Sequence, residues 1–279
     1  MPEIAEVETV RRTLLKKILN KKIKKVDILY KNIISSKSLD MNKLVGESFK
    51  DIDRVGKWLI FKTDKYGLLS HLRMEGKFFI KDNNEPIEKH EHVIITFDDN
   101  TDLRYHDTRK FGRMILGNKN EIYNYEEIKK QGYEPNSKEL TGEYLFNKIN
   151  KLNIPIKSIL LDQTIISGLG NIYANEVLFK AKVNPFKRGK DITLEECNNI
   201  IIATNDIIPK AIEMGGTTIK SYTSSLGVTG RFQQELNVHK KDGQKCPCCG
   251  NTILKDRING RSTYYCSKCQ LWLLSVKMV

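Results

Sequence analysis

The chain has 279 residues, 39% of them hydrophobic, with a formal charge of +13 and a pI of 9.3. That length and apolar content exclude wholesale disorder and give room for more than one domain. No apolar run is long enough to span a bilayer and no secretory h-region opens the chain, so an intracellular protein with no membrane partner is expected. The positive surplus favours a polyanionic partner, although a solvated lysine-rich surface would give the same count.

Residues 1–20 read as a helix. Val7, Val10, Leu14 and Ile18 recur at helical spacing, while residues 11–25 carry eight Lys or Arg and no acid. Pro2 stands directly behind the initiator methionine, followed by Glu3, Glu6 and Glu8. Proline suits the first position of a helix and carboxylates suit its positive end, so a helix start alone accounts for all four. With Met1 removed, Pro2 would in addition present a secondary amine.

A β-rich stretch follows. "KVDILY", "WLIFKTD", "GLLSHL", "KFFI", "HVIITFDD", "TDLRYHD" and "RMILG" are short apolar or alternating runs split by Gly, Asn and Asp turns. Strands at that spacing predict a sandwich or barrel. Met74 in "RMEG" and Phe111 in "RKFG" fall at apparent loop tips, where strand core is the competing reading. His90 and His92 could pair on a metal, but no third ligand is apparent.

From "EEIKKQGYEP" onward the pattern turns helical, over 138–150, 156–163, 171–180 and 193–213. Thr193 with Glu196 forms a capping box, and Cys197 reads as a buried small hydrophobe. Gly168 and Gly170, just ahead of a helix starting near Asn171, would let backbone approach a phosphate; a generic turn fits equally well. The span 214–245 is rich in Gly, Ser and Thr, and a loop of that length is usually functional.

Five of the six cysteines lie within 246–269. Cys246-x2-Cys249 and Cys266-x2-Cys269 have the spacing of two knuckles on one structural Zn²⁺, closed by four thiolates. Cys248 stays outside that shell, since using it would leave a poorer C-x-C knuckle. Between the pairs a hairpin is expected with Asn259-Gly260 at its tip and Arg261 beside it.

Four collinear stretches together resemble the bacterial formamidopyrimidine-DNA glycosylase family: "MPEIAEVETV", the pair "HLRMEGKF" and "DTRKFGRM", "LLDQTIISGLGNIYANEVLF", and "GRSTYYCSKCQ". The resemblance implies a bifunctional enzyme that excises oxidised purines, chiefly 8-oxoguanine and formamidopyrimidines, and nicks the abasic site by β,δ-elimination. It implies that Pro2 is the nucleophile and Schiff-base former, Glu3 the proton donor and Glu6 a supporting group. Lys57 would assist β-elimination and Arg261 δ-elimination. Met74, Arg109 and Phe111 would fill the void left by an everted nucleotide. His71, His90, Lys151, Lys157 and Asn171 would be DNA contacts, as would His239, which stands where the family usually has tyrosine; that contact could become pH-dependent. Residues Gly215, Thr217, Ser221, Tyr222 and Thr223 fall in the stretch matching the family's lesion-capping loop.

The expected fold class is therefore α+β. A helix-led β-sandwich or barrel-like catalytic domain would span 1–130, and a helix–two-turn–helix domain 131–235 with the capping loop at about 215–235. A zinc-finger β-hairpin would span 236–279. The expected partner is damaged double-stranded DNA, met in the bacterial cytoplasm by a monomer. Two rivals remain: an oxidised-pyrimidine glycosylase resembling endonuclease VIII, and a non-catalytic zinc DNA-binding protein.

Overall fold

The computed structural model describes residues 1–217 and 230–271. They form two compact units, one of 1–130 with 211–233 and one of 131–210 with 234 onward. Among the described residues no helix is long and apolar enough to cross a membrane.

The first unit begins with helix α1 (Ile4–Ile18), whose Val7, Val10, Leu14 and Ile18 are all buried as the spacing predicts. Eight strands follow: β1 (Ile23–Ile28), β2 (Asp51–Val55), β3 (Trp58–Lys62), β4 (Tyr66–His71), β5 (Lys77–Asp82), β6 (Glu91–Phe97), β7 (Thr101–His106) and β8 (Arg113–Asn118). They make two antiparallel four-stranded sheets, ordered β1-β6-β7-β5 and β2-β3-β4-β8. The main core gathers α1 with one face of each sheet: Leu59 and Phe61, Leu68, Val93, Ile95 and Phe97, Leu103 and Tyr105, Met114 and Leu116. Because strand side chains alternate, the intervening Trp58, Ile60, Leu69 and Ile115 face the other way. They build a second cluster with Ile122 and Ile128. The continuous apolar run "WLIF" thus marks a strand buried on both sides.

Strand β2 was not foreseen, since "DIDRV" is mostly charged. Its charges are accounted for locally. Lys62 reaches Asp51 and Asp53, each at 2.7 Å, and Arg54 joins a cluster around Glu8. Opposite the core, buried Arg104 donates to Asp102 and Glu91 and to the carbonyls of Asp82, Glu85 and Pro86, so one guanidinium fixes the connection ahead of β6.

The remaining helices run on from the sandwich. After α2 (Glu126–Lys129) at the end of the first unit come α3 (Gly142–Ile149), α4 (Ile156–Leu160), α5 (Asn171–Lys180) and α6 (Leu194–Glu213), the last closing in the first unit. The predicted capping box is present. Thr193 N–H meets Glu196 at 2.8 Å and Glu196 N–H meets the Thr193 hydroxyl at 3.1 Å. Cys197 is fully buried, and burial, reinforced by Glu196, pushes its thiol up to about 12. The hairpin of β9 (Leu254–Ile258) and β10 (Arg261–Tyr265) turns at Asn259 (φ 47°) and Gly260 (φ 74°), as the Asn-Gly pair requires.

Glu8 anchors an arginine cluster in the first unit. Burial alone would raise its carboxyl. Hydrogen bonds from Arg11 and Arg12, with the charge of Arg54 beside them, hold it at about 2 against 4.5 unperturbed. A folded-state value below the unfolded one contributes stability that is complete above pH 4.5 and lost as pH falls toward 2. Glu8→Gln is expected to cost about 2–3 kcal/mol at pH 7. In urea titrations at stepped pH, the variant should show a shallower decline across that acid window than the parent chain.

Candidate active site and nucleic-acid interface

In the first unit the N-terminal site is built by α1. Pro2 is half-buried and directly precedes Glu3, the residue that opens the helix. Glu3 and Glu6 form a reciprocal capping box, in which Glu3 N–H donates to Glu6 Oε2 at 2.9 Å. The other oxygen, Glu6 Oε1, accepts from Thr217 N–H at 2.7 Å and from the Thr217 hydroxyl at 3.0 Å. Gly216 has φ +74° and passes so close that an added Cβ would lie 2.7 Å from the same oxygen. The other stem of the loop is paired to this one, Arg231 N–H to Met214 O at 2.9 Å and Phe232 N–H to Gly216 O at 3.0 Å. Glu6 therefore joins the N-terminus of the chain to the root of the glycine-rich stretch. Ser221, Tyr222 and Thr223 lie outside the described residues.

Lys57 sits in the two-residue turn between β2 and β3, 5% exposed. His71, at the end of β4, packs its ring edge-on to Trp58 at 4.8 Å. Its Nδ1 accepts Arg73 N–H at 2.9 Å. Burial, then the charges of Arg73 and Lys57, push the imidazole down to about 3, so the ring is neutral with its proton on Nε2. Met74 and Phe111 are 40% and 51% exposed, which sets aside the strand-core reading. The Arg109 guanidinium lies 4.7 Å over the Phe111 ring. His90 is half-buried beside both His92 and His106, at ring separations of 6.5 and 5.6 Å. His92 is engaged through Nε2 with the Asp107 carbonyl at 2.8 Å, and among the described residues only the cysteine group could hold a metal.

The second unit presents a separate set of residues. Lys157, on α4, is fully buried and donates to Ser262 O at 2.7 Å and to the Thr263 hydroxyl at 2.9 Å. Asn171, first residue of α5, gives its amide to the same Ser262 carbonyl at 3.0 Å and leaves a buried Oδ1 with no hydrogen-bond partner among the described residues. The turn ahead of it is organised by Gln163, which bonds Gly168 N–H and the carbonyls of Leu161 and Leu169. Gly168 needs its freedom there, at φ +93°. Arg261 and Lys151 are exposed, and the hairpin tip is tied to α4 by Asn259 donating to Ser158 at 3.0 Å.

His239 is enclosed by side chains that sequence reasoning had missed. Glu176 accepts three successive backbone N–H groups, from Asn237, Val238 and His239, at 2.8, 3.0 and 2.8 Å. Asn175 accepts Tyr264 N–H through Oδ1, which turns its amide nitrogen toward His239 Nδ1 at 2.8 Å. Nδ1 is then the acceptor and Nε2 carries the proton, a single donor like a tyrosine hydroxyl. Burial, then Lys240 and Lys157, push the ring down to about 4. The anticipated pH dependence therefore falls below the physiological range.

The four cysteines Cys246, Cys249, Cys266 and Cys269 bring their sulfurs within 4.8 Å of one another. The pairs Cys246–Cys269 and Cys249–Cys266 stand at 3.8 and 3.4 Å. Four thiolates about 2.3 Å from one tetrahedral zinc would be about 3.8 Å apart, so the cage fits a structural Zn²⁺ with no open position. Cys248 is exposed and outside it. The cage packs on Phe179 of α5, Val238, Ile253 and Tyr264.

Comparison with known proteins accords with this fold. The formamidopyrimidine-DNA glycosylase N-terminal domain matches residues 1–114 and its H2TH domain 131–223, and the zinc finger found in FPG and IleRS matches 243–271. The formamidopyrimidine-DNA glycosylase of Bacillus anthracis is 42% identical over 273 residues, spanning 97% of this chain and 99% of that protein. That of Lactobacillus helveticus is also 42% identical, with the same coverage. The solved complex of Lactococcus lactis Fpg with DNA containing an abasic site superposes with a TM-score of 0.91 at 38% identity, over 97% of this chain and all of that one. A Lactococcus lactis FPG mutant bound to Fapy-dG-containing DNA matches equally well. Fold, site and sequence define a zinc-finger DNA glycosylase of α+β architecture. The chain belongs to the formamidopyrimidine-DNA glycosylase family.

The His239 assignment has a direct check. Two-dimensional ¹H–¹⁵N spectra of the imidazole nitrogens should show a neutral ring protonated on Nε2 throughout pH 8 to 6. A midpoint near 6.5 would contradict the enclosure.

Proposed function

We propose that this chain excises oxidised purines from double-stranded DNA and cleaves the resulting abasic site through a covalent intermediate on Pro2. The observation that carries this reading is the position of Pro2, one residue ahead of a helix whose first turn is closed by Glu3 and Glu6. Loss of Met1 would free a secondary amine there. An α-amino group titrates near 7.7–8.0 in model compounds, so a usable neutral fraction exists at cellular pH.

The Pro2 nitrogen attacks C1′ and displaces the base, which leaves with a proton; Glu3, at the same helix terminus, is the donor to base or ring oxygen. Opening of the sugar gives an iminium between Pro2 and C1′. That cation acidifies the C2′ hydrogen, whose loss expels the 3′-phosphate, and a second elimination releases the 5′-phosphate. Lys57 assists the first elimination. The Arg261 guanidinium offers several N–H donors to phosphate oxygens, so its part in the second is to stabilise the departing phosphate. Met74 and Phe111 are apolar wedges suited to replacing lost stacking, and Arg109 can hydrogen-bond the orphaned base.

His71, His90, Lys151, Asn171 and His239 supply donors for the DNA backbone. Lys157, enclosed between α4 and the finger hairpin, acts mainly by holding Ser262 and Thr263 in place. The Fapy-dG complex of the Lactococcus lactis relative supports a purine substrate over a pyrimidine one. The reaction would take place on cytoplasmic DNA, with the protein as a monomer.

Borohydride trapping tests the assignment. Processed protein mixed with a duplex carrying 8-oxoguanine opposite cytosine should give a covalent adduct that maps to Pro2. Pro2→Gly should lose at least two orders of magnitude in excision while keeping its affinity for an abasic-site duplex. Tight binding without adduct or nicking, in protein shown to lack Met1, would leave a lesion-binding protein in place of an enzyme.

A further inference from the structure

We propose that Tyr105 and Asp107 are positioning residues that lock the turn carrying Met74 and the turn carrying Arg109 and Phe111 into one preformed wedge. The inference rests on the reading of those three side chains as the groups that fill the space of an everted nucleotide. It concerns what keeps them in place, and every residue involved lies in the first unit.

Tyr105 is 1% exposed, its ring packed on Phe78 at 5.3 Å. Its hydroxyl projects between the two turns. A Cβ at Gly76 would lie 2.2 Å from that oxygen, and one at Gly112 would lie 1.8 Å from it. Both "RMEG" and "RKFG" therefore end in glycine for the same reason: each backbone closes on one phenol oxygen. Asp107 is fully buried, and its carboxylate gathers the second turn. Oδ1 accepts Arg109 N–H, and Oδ2 accepts Phe111 N–H and Gly112 N–H, each at 2.9 Å. Oδ2 also stands 3.4 Å from the Tyr105 hydroxyl.

The first turn repeats the device with another residue. His71 Nδ1 takes the N–H two positions ahead, from Arg73, as Asp107 takes that of Arg109. In each turn the residue just before the apolar wedge has left-handed backbone, Arg73 at φ 53° before Met74 and Lys110 at φ 59° before Phe111. Non-glycine residues hold that conformation where surrounding contacts over-determine it. At the surface, the Thr108 hydroxyl bonds the Glu75 carboxylate and ties the two tips together. A wedge ordered before DNA arrives loses little freedom on insertion, so more of the contact energy is left for unstacking the target.

The test compares a substrate that must be opened with one that need not be. Wild-type protein, Tyr105→Phe, Asp107→Asn and Thr108→Val are assayed on a duplex with 8-oxoguanine opposite cytosine and 2-aminopurine next to the lesion. The second substrate is a single-stranded abasic oligonucleotide, which has no stack to fill, with borohydride trapping as readout. The two buried variants should slow single-turnover excision and the 2-aminopurine rise at least tenfold, with trapping on the single strand within twofold of wild type. Thr108→Val, at the surface and without risk to the core, should shift the duplex rate alone and by less. Wild-type duplex kinetics in the three variants would overturn the proposal. So would an equal loss on both substrates, which marks a general structural defect. Wild-type protein inert on both would sink the functional reading itself.

Discussion

One carboxylate ties the start of the chain to the root of the glycine-rich stretch. Glu6 is 4% exposed, and both of its oxygens are committed: one to the N–H of Glu3, the other to the backbone and hydroxyl of Thr217. A buried carboxylate is costly unless its lone pairs are filled, so this arrangement tolerates little rearrangement. It fixes the first turn of α1 and with it the direction in which Pro2 leaves the helix. It also fixes the exit of α6 into the glycine-rich stretch, 211 residues further on. Pro2 and the segment matching the lesion-capping loop are thus referenced to the same group.

The same solution recurs in three irregular segments among the described residues. Backbone N–H groups in such segments have no ladder partner and must be satisfied some other way. Asp107 collects three of them, Glu176 three, and Gln163 spans the turn ahead of Asn171 with both ends of its amide. Each is a single polar side chain, buried or half-buried. They give irregular backbone the rigidity of a strand or helix, which a site acting on DNA needs at several points at once.

Much of this could be read from the sequence because it depends on local chemistry. The Asn-Gly hairpin, the Thr193–Glu196 box, the α1 apolar stripe and the paired CxxC knuckles are all decided within a few residues, and all are present. The residues assigned from family resemblance lie at turns and helix ends. What stayed hidden depends on long-range partners. β2 is polar because Lys62 and Glu8 supply its counter-charges from other elements. Lys157 is expected from the resemblance to be a DNA contact, yet it is enclosed by a hairpin about a hundred residues later. His239 reads as a pH-sensitive phosphate ligand until Asn175 and Glu176 are seen around it. The third histidine beside His90 is brought there by the pairing of β6 with β7, which sets His106 opposite Glu91 and which no spacing rule could supply.

The carbonyl of Ser262 accepts from Lys157 on α4 and from Asn171 at the start of α5, while the cysteine cage packs on Phe179 at the other end of α5. The hairpin is therefore a shared strut between two helices. Metal binding to four thiolates is itself folding free energy, and here it is spread beyond the module that holds the ion. Loss of the metal would therefore be felt at α4 and at both ends of α5 as well as in the hairpin between the cysteine pairs.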